Sequence, residues 1–308
     1  METVCTVCMH HCSLKPGQWG ICRARKNEGG KIICENYGQV TSLALDPIEK
    51  KPLGMFRQGS MILSVGSYGC NLRCPFCQNH EISMAYKKND NAMETSQRVE
   101  TVFVSPQALA KEALKYVQRA GESQLSRHGS MGNIGVAFTY NEPLVGWEYV
   151  RDTAKLVKNM GMVNVLVTNG TASREVLEEI LPYMDAMNID LKAFREETYR
   201  KYGGDLETVK EFIVRAAASC HVELTTLIVP GENDGVKEME EEARWISSVE
   251  KSVGKKLPLH VTRFFPRYRM RDREATEVQR VYGLAQKARE YLSYVFVGNS
   301  VCYVPKTI

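Results

Sequence analysis

The chain has 308 residues and a formal net charge of +4, with acidic and basic side chains interspersed along it. This pattern argues against a nucleic-acid-binding stripe or a polybasic membrane tail, and the length suits one large α/β domain or two ordinary ones. No long apolar run predicts a membrane span, and METVCTVCMHHC (1–12) lacks the features of a signal peptide. We therefore expect a cytoplasmic protein that binds neither nucleic acid nor membrane.

The first predicted unit, residues 1–58, is rich in cysteine. Eight of the ten cysteines lie in the first 77 residues, and in a cytosolic chain such clusters favour metal or redox chemistry over disulfides. The first group can hold structural zinc or a second iron–sulfur cluster. Its members are Cys5, Cys8, Cys12 and Cys22, with Cys34, His10 and His11 as alternative ligands. Cys220 and Cys302 stand alone and are expected to be small buried hydrophobic residues.

The second group of cysteines, Cys70, Cys74 and Cys77, lies in GCNLRCPFCQN (69–79). A [4Fe–4S] cube normally needs four thiolates, so three leave one iron open to a substrate or cofactor. Zinc held by three cysteines and a water is the alternative, and His80 is near enough in sequence to close that site. The compact spacing favours the cluster, because structural zinc sites usually combine two separated cysteine pairs.

The second predicted unit, residues 59–308, alternates β-branched runs with helical stretches. SPQALAKEALKYVQRAG (105–121), for example, has Ser105 as N-cap and Pro106 in its first turn. Such alternation implies right-handed βαβ units around a parallel sheet. The six predicted strands are 61–69, 134–140, 163–170, 187–193, 222–230 and 259–265.

Polar or reactive side chains stand at the carboxyl ends of four predicted strands. Barrel-type sheets gather their chemistry at that end, so these side chains should converge on one rim. We therefore predict an α/β fold with a partial (β/α)6 TIM-type barrel, and a doubly wound open sheet is the alternative. The converging residues are Cys70, Asn141, Glu142, Thr168, Asn169, Asp190 and Lys192.

The motif Cys70-x3-Cys74-x-Phe76-Cys77, placed after a first strand, resembles the signature of the radical S-adenosylmethionine (SAM) superfamily. Within that superfamily the chain is most similar to pyruvate formate-lyase activating enzymes and to AmmeMemoRadiSam-system radical enzymes. The likeness covers roughly Cys5 to Asn299. Its motifs are the cysteine-rich start, DPIEKKPL (46–53), SVGSYGCNLRCPFCQN (64–79), YNEP (140–143), VTNG (167–170), NIDLKAF (188–194) and VFVGN (295–299).

The resemblance implies a [4Fe–4S] cluster whose open iron binds SAM and whose electron cleaves it to a 5′-deoxyadenosyl radical. It also implies a flavodoxin or ferredoxin as electron donor and a protein or peptide as substrate. Glu142 would accept a hydrogen bond from the SAM amino group, and Lys192 would lie near its carboxylate. The other residues assigned to the cofactor are Phe76, Asn141, Thr168, Asn169 and Asp190.

The residues alone leave alternatives open. Glu142 also fits an acid at a helix N-terminus, and Asp190 with Lys192 fits an ordinary ion pair at a strand end. Val167 and Tyr268 depart from the activases, which commonly have Asp and His there. We expect hydrogen abstraction from a glycine Cα of a partner protein. The alternatives are radical modification of a small molecule or non-glycyl peptide in an AmmeMemoRadiSam-like pathway, and a non-catalytic docking module, which would not need strand-end acids and a lysine.

Overall fold

The computed structural model describes residues 1–87, 98–122 and 131–300, so Cys302 lies outside the described residues. None of the helices in these ranges is both long and apolar enough to cross a membrane. The strands are β1 (Thr3–Val4), β2 (Ser13–Leu14), β3 (Arg25–Glu28), β4 (Lys31–Cys34), β5 (Gln39–Val40), β6 (Ser42–Pro47), β7 (Ser60–Gly66), β8 (Tyr86–Lys87), β9 (Arg98–Val99), β10 (Val102–Phe103), β11 (Met131–Phe138), β12 (Val163–Thr168), β13 (Ala186–Asp190), β14 (His221–Ile228), β15 (Leu259–Arg263) and β16 (Val295–Gly298). The α-helices are α1 (His80–Ser83), α2 (Pro106–Glu122), α3 (Trp147–Asn159), α4 (Arg174–Ile180), α5 (Glu196–Lys201), α6 (Leu206–Ser219), α7 (Val236–Val253) and α8 (Val278–Arg289). Short 3-10 helices span Ile48–Lys50, Pro143–Gly146 and Leu181–Tyr183.

The central sheet has eight strands in the described part of the chain, in the order β16-β15-β14-β13-β12-β11-β7-β6. Neighbours from β7 to β16 are parallel, and β6 pairs antiparallel with β7 at one edge. Each of the six predicted strands is present, and β6 and β16 were not predicted as strands. β16 has only four residues, too few for a clear alternating pattern.

The strand order distinguishes the two predicted architectures. From β7 to β16, spatial neighbours follow chain order without reversal, whereas a doubly wound sheet reverses at a switch point. The structure therefore agrees with the predicted α/β partial barrel. The prediction of six parallel strands was too low, because β16 adds a seventh among the described residues.

The helices cover the outer face of this sheet. Alternation along a strand sends successive side chains to opposite faces. Val136 and Phe138 of β11 and Met187 and Ile189 of β13 belong to a core cluster that also contains buried residues from helices α2 to α8. Cys220 is buried in the same cluster, which confirms its predicted role as a small core residue.

The segment from Ile48 to Phe56, which includes most of DPIEKKPL, fills the inner face near the amino ends of the strands. Ile48 and Leu53 are fully buried and pack, together with Phe56, against inward-facing strand residues. The Asn188 side-chain amide donates to the Pro52 carbonyl at 2.9 Å, which ties this segment to β13. The barrel interior is therefore closed by side chains below the level where the polar residues gather.

The predicted boundary between residues 58 and 59 stays a prediction. β6, from the first predicted unit, hydrogen-bonds to β7 of the second along six residue pairs from Ser42↔Gly66 to Pro47↔Met61. Cys5, Val7 and Val40 also pack in the large core cluster. The first unit thus shares both a sheet and a core with the barrel.

Candidate active site at the carboxyl rim

A cavity of about 290 Å³ lies at the carboxyl ends of the parallel strands. Its walls come from the loop after β7 and from residues at or after the ends of β11, β12 and β13. All the cluster and cofactor residues predicted between positions 70 and 192 line it. They are Cys70, Cys74, Phe76, Cys77, Asn141, Glu142, Thr168, Asn169, Asp190 and Lys192.

The loop after β7 is fixed by backbone contacts. Gly69 has a φ of +88°, and a Cβ there would lie 2.5 Å from the carbonyl oxygen of Cys22, so glycine is required. The Cys70 amide donates to that same carbonyl at 3.2 Å. The Arg73 amide donates to the Tyr202 carbonyl at 2.7 Å. The amino-terminal segment and the end of α5 therefore hold this loop, called the cysteine loop (residues 70–77) below.

Apolar packing shields one side of the cysteine loop. Leu72, Cys74 and Phe76 are buried in a cluster separate from the large core. The rings of Phe76 and Tyr202 meet edge to face, with centroids 5.1 Å apart. The other buried members are Val229, Phe264 and Met270. Phe76 thus anchors the loop while also lining the cavity.

The three thiols of the cysteine loop lie near one another, with Cys74 buried and Cys70 and Cys77 half-buried. Burial raises the pKa of Cys70 well above its ordinary value, and the nearby Glu142, Cys74 and Cys77 add to the shift. Burial likewise raises the pKa of Cys74 to about 11. Thiolates there need a cationic partner, which iron supplies.

A single metal ion fits the cysteine loop less well than a cluster. Among the described residues, no three His, Cys, Asp or Glu side chains are grouped so that they could hold one metal ion. A cube does not need such a group, because each cysteine binds a different iron. The thiol chemistry and the shared cavity therefore fit a [4Fe–4S] cluster better than the zinc alternative.

Glu142 is buried at the end of β11 and holds three hydrogen-bond donors. Its Oε1 accepts from the Leu144 amide at 3.0 Å and from the Thr168 hydroxyl at 2.8 Å. Its Oε2 accepts from the backbone amide of Asn169 at 2.7 Å. Burial raises the pKa of Glu142 to about 7 in spite of these bonds. The carboxylate caps the 3-10 helix Pro143–Gly146 and also lines the cavity, so a nearby cation would stabilise its charged form.

Asp190 and Lys192 form an ion pair where β13 ends, with Nζ 2.9 Å from Oδ2. Burial alone would lower the pKa of Lys192, but Asp190 and Cys74 outweigh it and hold that pKa well above its ordinary value. The Asn233 side-chain amide donates a hydrogen bond to the Lys192 carbonyl at 2.9 Å. A permanently charged ammonium therefore faces the cavity beside the cysteine loop.

A ring of hydrogen bonds behind Asn169 was not predicted. The Asn169 side-chain amide donates to Asn71 Oδ1 at 2.9 Å, and the Asn71 side-chain amide donates to the Thr171 hydroxyl at 2.7 Å. That hydroxyl donates to Asn169 Oδ1 at 2.6 Å. Asn71 is a polar residue inside the cysteine motif, and its position next to Cys70 was the signal that could have suggested this role. The ring couples the cysteine loop to the loop after β12.

Further cavity residues were missed on β14 and β15. Thr225, Leu227 and Thr262 line the cavity from the strand interior. On β14 they continue the inward alternation that begins with Glu223. The alternation of side chains along each strand indicated that every second residue shares a face. Which of the two faces points inward depends on the tertiary fold.

Among the predicted second metal ligands, Cys22 contacts the cysteine loop, since its carbonyl accepts from the Cys70 amide. The Cys5 amide donates to the Cys12 carbonyl at 2.9 Å, and the backbone of Cys8 forms an isolated antiparallel β-bridge with Ala172 in the loop after β12. Burial raises the pKa values of Cys5, Cys8 and Cys22. Since no three-ligand group is found among the described residues, a metal on these thiols stays a prediction.

The two departures from the activase pattern occupy different places. Val167 lines the cavity next to Thr168. Tyr268 does not line it and stacks on His80, with ring centroids 4.5 Å apart. His80, the suggested fourth ligand of a zinc site, is thus engaged with an aromatic ring and is absent from the cavity lining.

Comparison with known proteins agrees with this geometry. The model of the Radical SAM superfamily matches residues 64–246. An uncharacterized protein of Methanocaldococcus jannaschii is 34% identical over 297 residues, 96% of this chain and 80% of that protein. Pyruvate formate-lyase 1-activating enzyme of Escherichia coli K12 is 27% identical over 59% of this chain and 68% of its own length. In fold, SuiB of Streptococcus suis bound to S-adenosylmethionine is similar with a TM-score of 0.50 and 10% identity, covering 77% of this chain and 49% of SuiB.

Proposed function

Because the chain belongs to the radical SAM superfamily, we propose that it is an enzyme that abstracts hydrogen from a macromolecular substrate. The observation that carries the proposal is the single cavity shared by Cys70, Cys74, Cys77, Glu142 and Lys192. Three thiols, a carboxylate and an ammonium from separate strands have no common structural task. Together they match what a cluster and an amino acid cofactor require.

The cofactor chemistry is reductive. A bound cluster and SAM would supply one-electron reductive chemistry, with the electron coming from a flavodoxin or ferredoxin and a hydrogen atom being taken from the substrate. The protein binds, orients and shields these groups. Cys70, Cys74 and Cys77 would hold the cluster, and Leu72 and Phe76 exclude water on one side.

Charged residues of the rim are suited to bind the two ends of an amino acid. Glu142, already fixed by Thr168 and Asn169, retains acceptor capacity on Oε2 for an ammonium group. Lys192 offers donors to a carboxylate, and Asp190 keeps it protonated and oriented. Asn141 positions the rim differently, since its amide donates to the carbonyls of Tyr68 and Gly69 before the cysteine loop.

A protein segment is the proposed substrate, with a glycine Cα as the reacting carbon. The likeness to an activating enzyme supports this choice, and in the part of the chain that the structure describes the sheet has two edges, β6 and β16, rather than a closed wall. Val167 and Tyr268 argue for a difference in detail from the activases. The second candidate is therefore modification of a small molecule or non-glycyl peptide in an AmmeMemoRadiSam-like pathway.

The test is anaerobic incubation with reductant, SAM and the products of neighbouring genes. Electron paramagnetic resonance and mass spectrometry are then applied to each partner. A persistent glycyl doublet on a partner is the expected result. Deoxyadenosine formed with a covalent product and no stable protein radical would establish the second candidate instead.

We also propose that Cys5, Cys8, Cys12 and Cys22 hold a second metal, as zinc or as an iron–sulfur cluster. Cys5, Cys8 and Cys22 are buried, Cys12 is half-buried, and the Cys22 carbonyl accepts from the Cys70 amide, which supports this proposal. Elemental analysis of a variant with Cys70, Cys74 and Cys77 replaced by Ala is expected to find that metal. Zinc indicates a structural role and iron with sulfide indicates electron relay, whereas a metal-free variant would reject both.

A further inference from the structure

An arginine-rich loop follows β15 at the carboxyl rim. Residues 263–273, which begin with the last residue of β15, contain five arginines and one aspartate, a net of +4, which equals the formal charge of the whole chain. The rest of the protein is therefore balanced. The excess positive charge is confined to one short segment, which we call the arginine loop.

Backbone and side chains anchor the arginine loop to the cysteine loop. The Arg269 amide donates to the carbonyl of Pro75, between Cys74 and Cys77, at 2.9 Å. Met270 is buried in the apolar cluster that contains Cys74 and Phe76. These contacts fix the backbone of the arginine loop directly beside the predicted cluster ligands.

The arginines of this loop divide into two groups. Arg263 donates to the Thr276 carbonyl at 2.6 Å, and Arg273 pairs with Glu232 at 3.1 Å. Arg267, Arg269 and Arg271 are exposed and have no ion-pair partner among the described residues. Three exposed guanidinium groups without an ion-pair partner, of which that of Arg269 lies over the Tyr268 ring, thus belong to a loop that contacts the cysteine loop directly.

Arg267, Arg269 and Arg271 also stand outside the cavity lining. A group that recognised the reacting segment of the substrate would have to reach that cavity. Charges next to the cysteine loop but outside the cavity suit a partner that approaches the cluster without entering the substrate space. An obligatory partner of that kind in the proposed function is the electron donor.

We propose that the arginine loop is the docking surface for an acidic electron-transfer protein. This inference rests on the proposed function, since it assigns the place where the electron enters. A positive patch steers an acidic partner by long-range attraction and raises its association rate, an effect that salt weakens. The expected partner chemistry is a low-potential flavin or iron–sulfur protein with carboxylates around its redox centre.

The experiment measures 5′-deoxyadenosine formation by the reconstituted full chain with two reductants, reduced flavodoxin and dithionite. The variant combines Arg267→Glu, Arg269→Glu and Arg271→Glu. At low ionic strength we expect the flavodoxin-dependent rate to fall about tenfold or more, and its salt dependence to flatten or invert. The dithionite-dependent rate and the cluster absorbance should stay as in the wild type.

Two control variants sharpen the result. Changing the same three arginines to lysine keeps the charge and should retain the flavodoxin-dependent rate. Lys111→Glu, Lys237→Glu and Lys251→Glu introduce the same total charge change on exposed helix positions and should also retain most of it. Equal losses in both charge-reversed variants would overturn the proposal, because net charge alone would then explain them.

Other outcomes are equally decisive. An unchanged flavodoxin-dependent rate in the arginine variant would overturn the docking surface and leave the proposed function standing. RNA that binds the wild type but not the arginine variant, with flavodoxin reduction unaffected, would assign the loop to nucleic acid. Failure of the wild type to cleave SAM with either reductant would reject the proposed function itself, and the docking surface with it.

Discussion

Two buried glutamates at opposite ends of the barrel have opposite electrostatics. Glu223, near the amino ends, accepts four hydrogen bonds, from the His221 and His260 rings at 2.8 and 2.6 Å and from the Gly54 and Met55 amides at 2.8 and 2.7 Å. Burial would raise the pKa of Glu223, but these four donors hold it at about 2. Glu142, at the carboxyl rim, has three donors and a pKa raised by burial to about 7.

The difference shows what each end of the barrel is built for. Both lone pairs of each Glu223 oxygen are occupied, so this carboxylate closes the amino end and leaves nothing for a ligand. Glu142 keeps acceptor capacity and stands in a cavity that disfavours its charge until a cation arrives. In barrels of this type the amino end serves stability and the carboxyl end serves chemistry.

The largest expected effect is at the rim. Replacing Cys70, Cys74 and Cys77 by Ala should abolish SAM cleavage completely, because no thiolate remains for the cluster. Iron content and 5′-deoxyadenosine formation measure the loss. Cys220→Ala, which removes a core thiol far along the chain, should leave both unchanged, and cleavage by the triple variant would disprove the assignment.

The next largest effect is at the amino end. Glu223→Ala removes one partner from a buried charged network and leaves two backbone amides without an acceptor. The free energy of unfolding should therefore fall by about 3–5 kcal/mol. Denaturant titration at pH 7 measures it. Glu178→Ala, at an exposed position of α4, also breaks ion pairs but should change stability only slightly, because solvent screens exposed ion pairs. Similar losses in the two variants would contradict the special role of Glu223.

A smaller effect is expected for Glu142→Gln. The loss of a charge-assisted hydrogen bond should weaken SAM binding by about 1.5–3 kcal/mol, roughly a factor of 10 to 150 in affinity. The cluster spectrum should be intact, since no iron ligand changes. Isothermal titration under anaerobic conditions tests this, and an affinity equal to that of the wild type would reduce Glu142 to a helix cap.

The smallest expected effect is a change in how stability depends on pH in acid. The folded pKa of Glu223, about 2, lies below its ordinary 4.5, so its stabilisation is complete above about pH 4.5 and is lost as the pH falls through about 2. Glu223→Gln should flatten the stability–pH slope in that window. Glu207→Gln, at an exposed position of α6, should keep the wild-type slope. An unaltered slope in Glu223→Gln would show that other carboxylates govern acid unfolding.

The sequence predicted much of the site because strand ends and motifs are local features. Cys70, Glu142, Thr168 and Lys192 each follow a β-branched run, and parallel strands bring their carboxyl ends together whatever the detailed packing. The resemblance to a family added the cofactor. By contrast, the four residues of β16 are too few to show a strand pattern. That Thr225 points into the cavity could be seen only from the folded sheet.

By itself, the sequence determined the alternation of strands and helices, the three-thiol loop and the polar strand ends, because each depends on residues close together in the chain. The tertiary structure decided which distant groups meet. The Cys22 carbonyl holds the Cys70 amide, the segment from Ile48 to Phe56 closes the barrel, and Arg269 contacts Pro75. Such contacts join residues tens to hundreds of positions apart, and their partners are fixed by packing rather than by any local pattern.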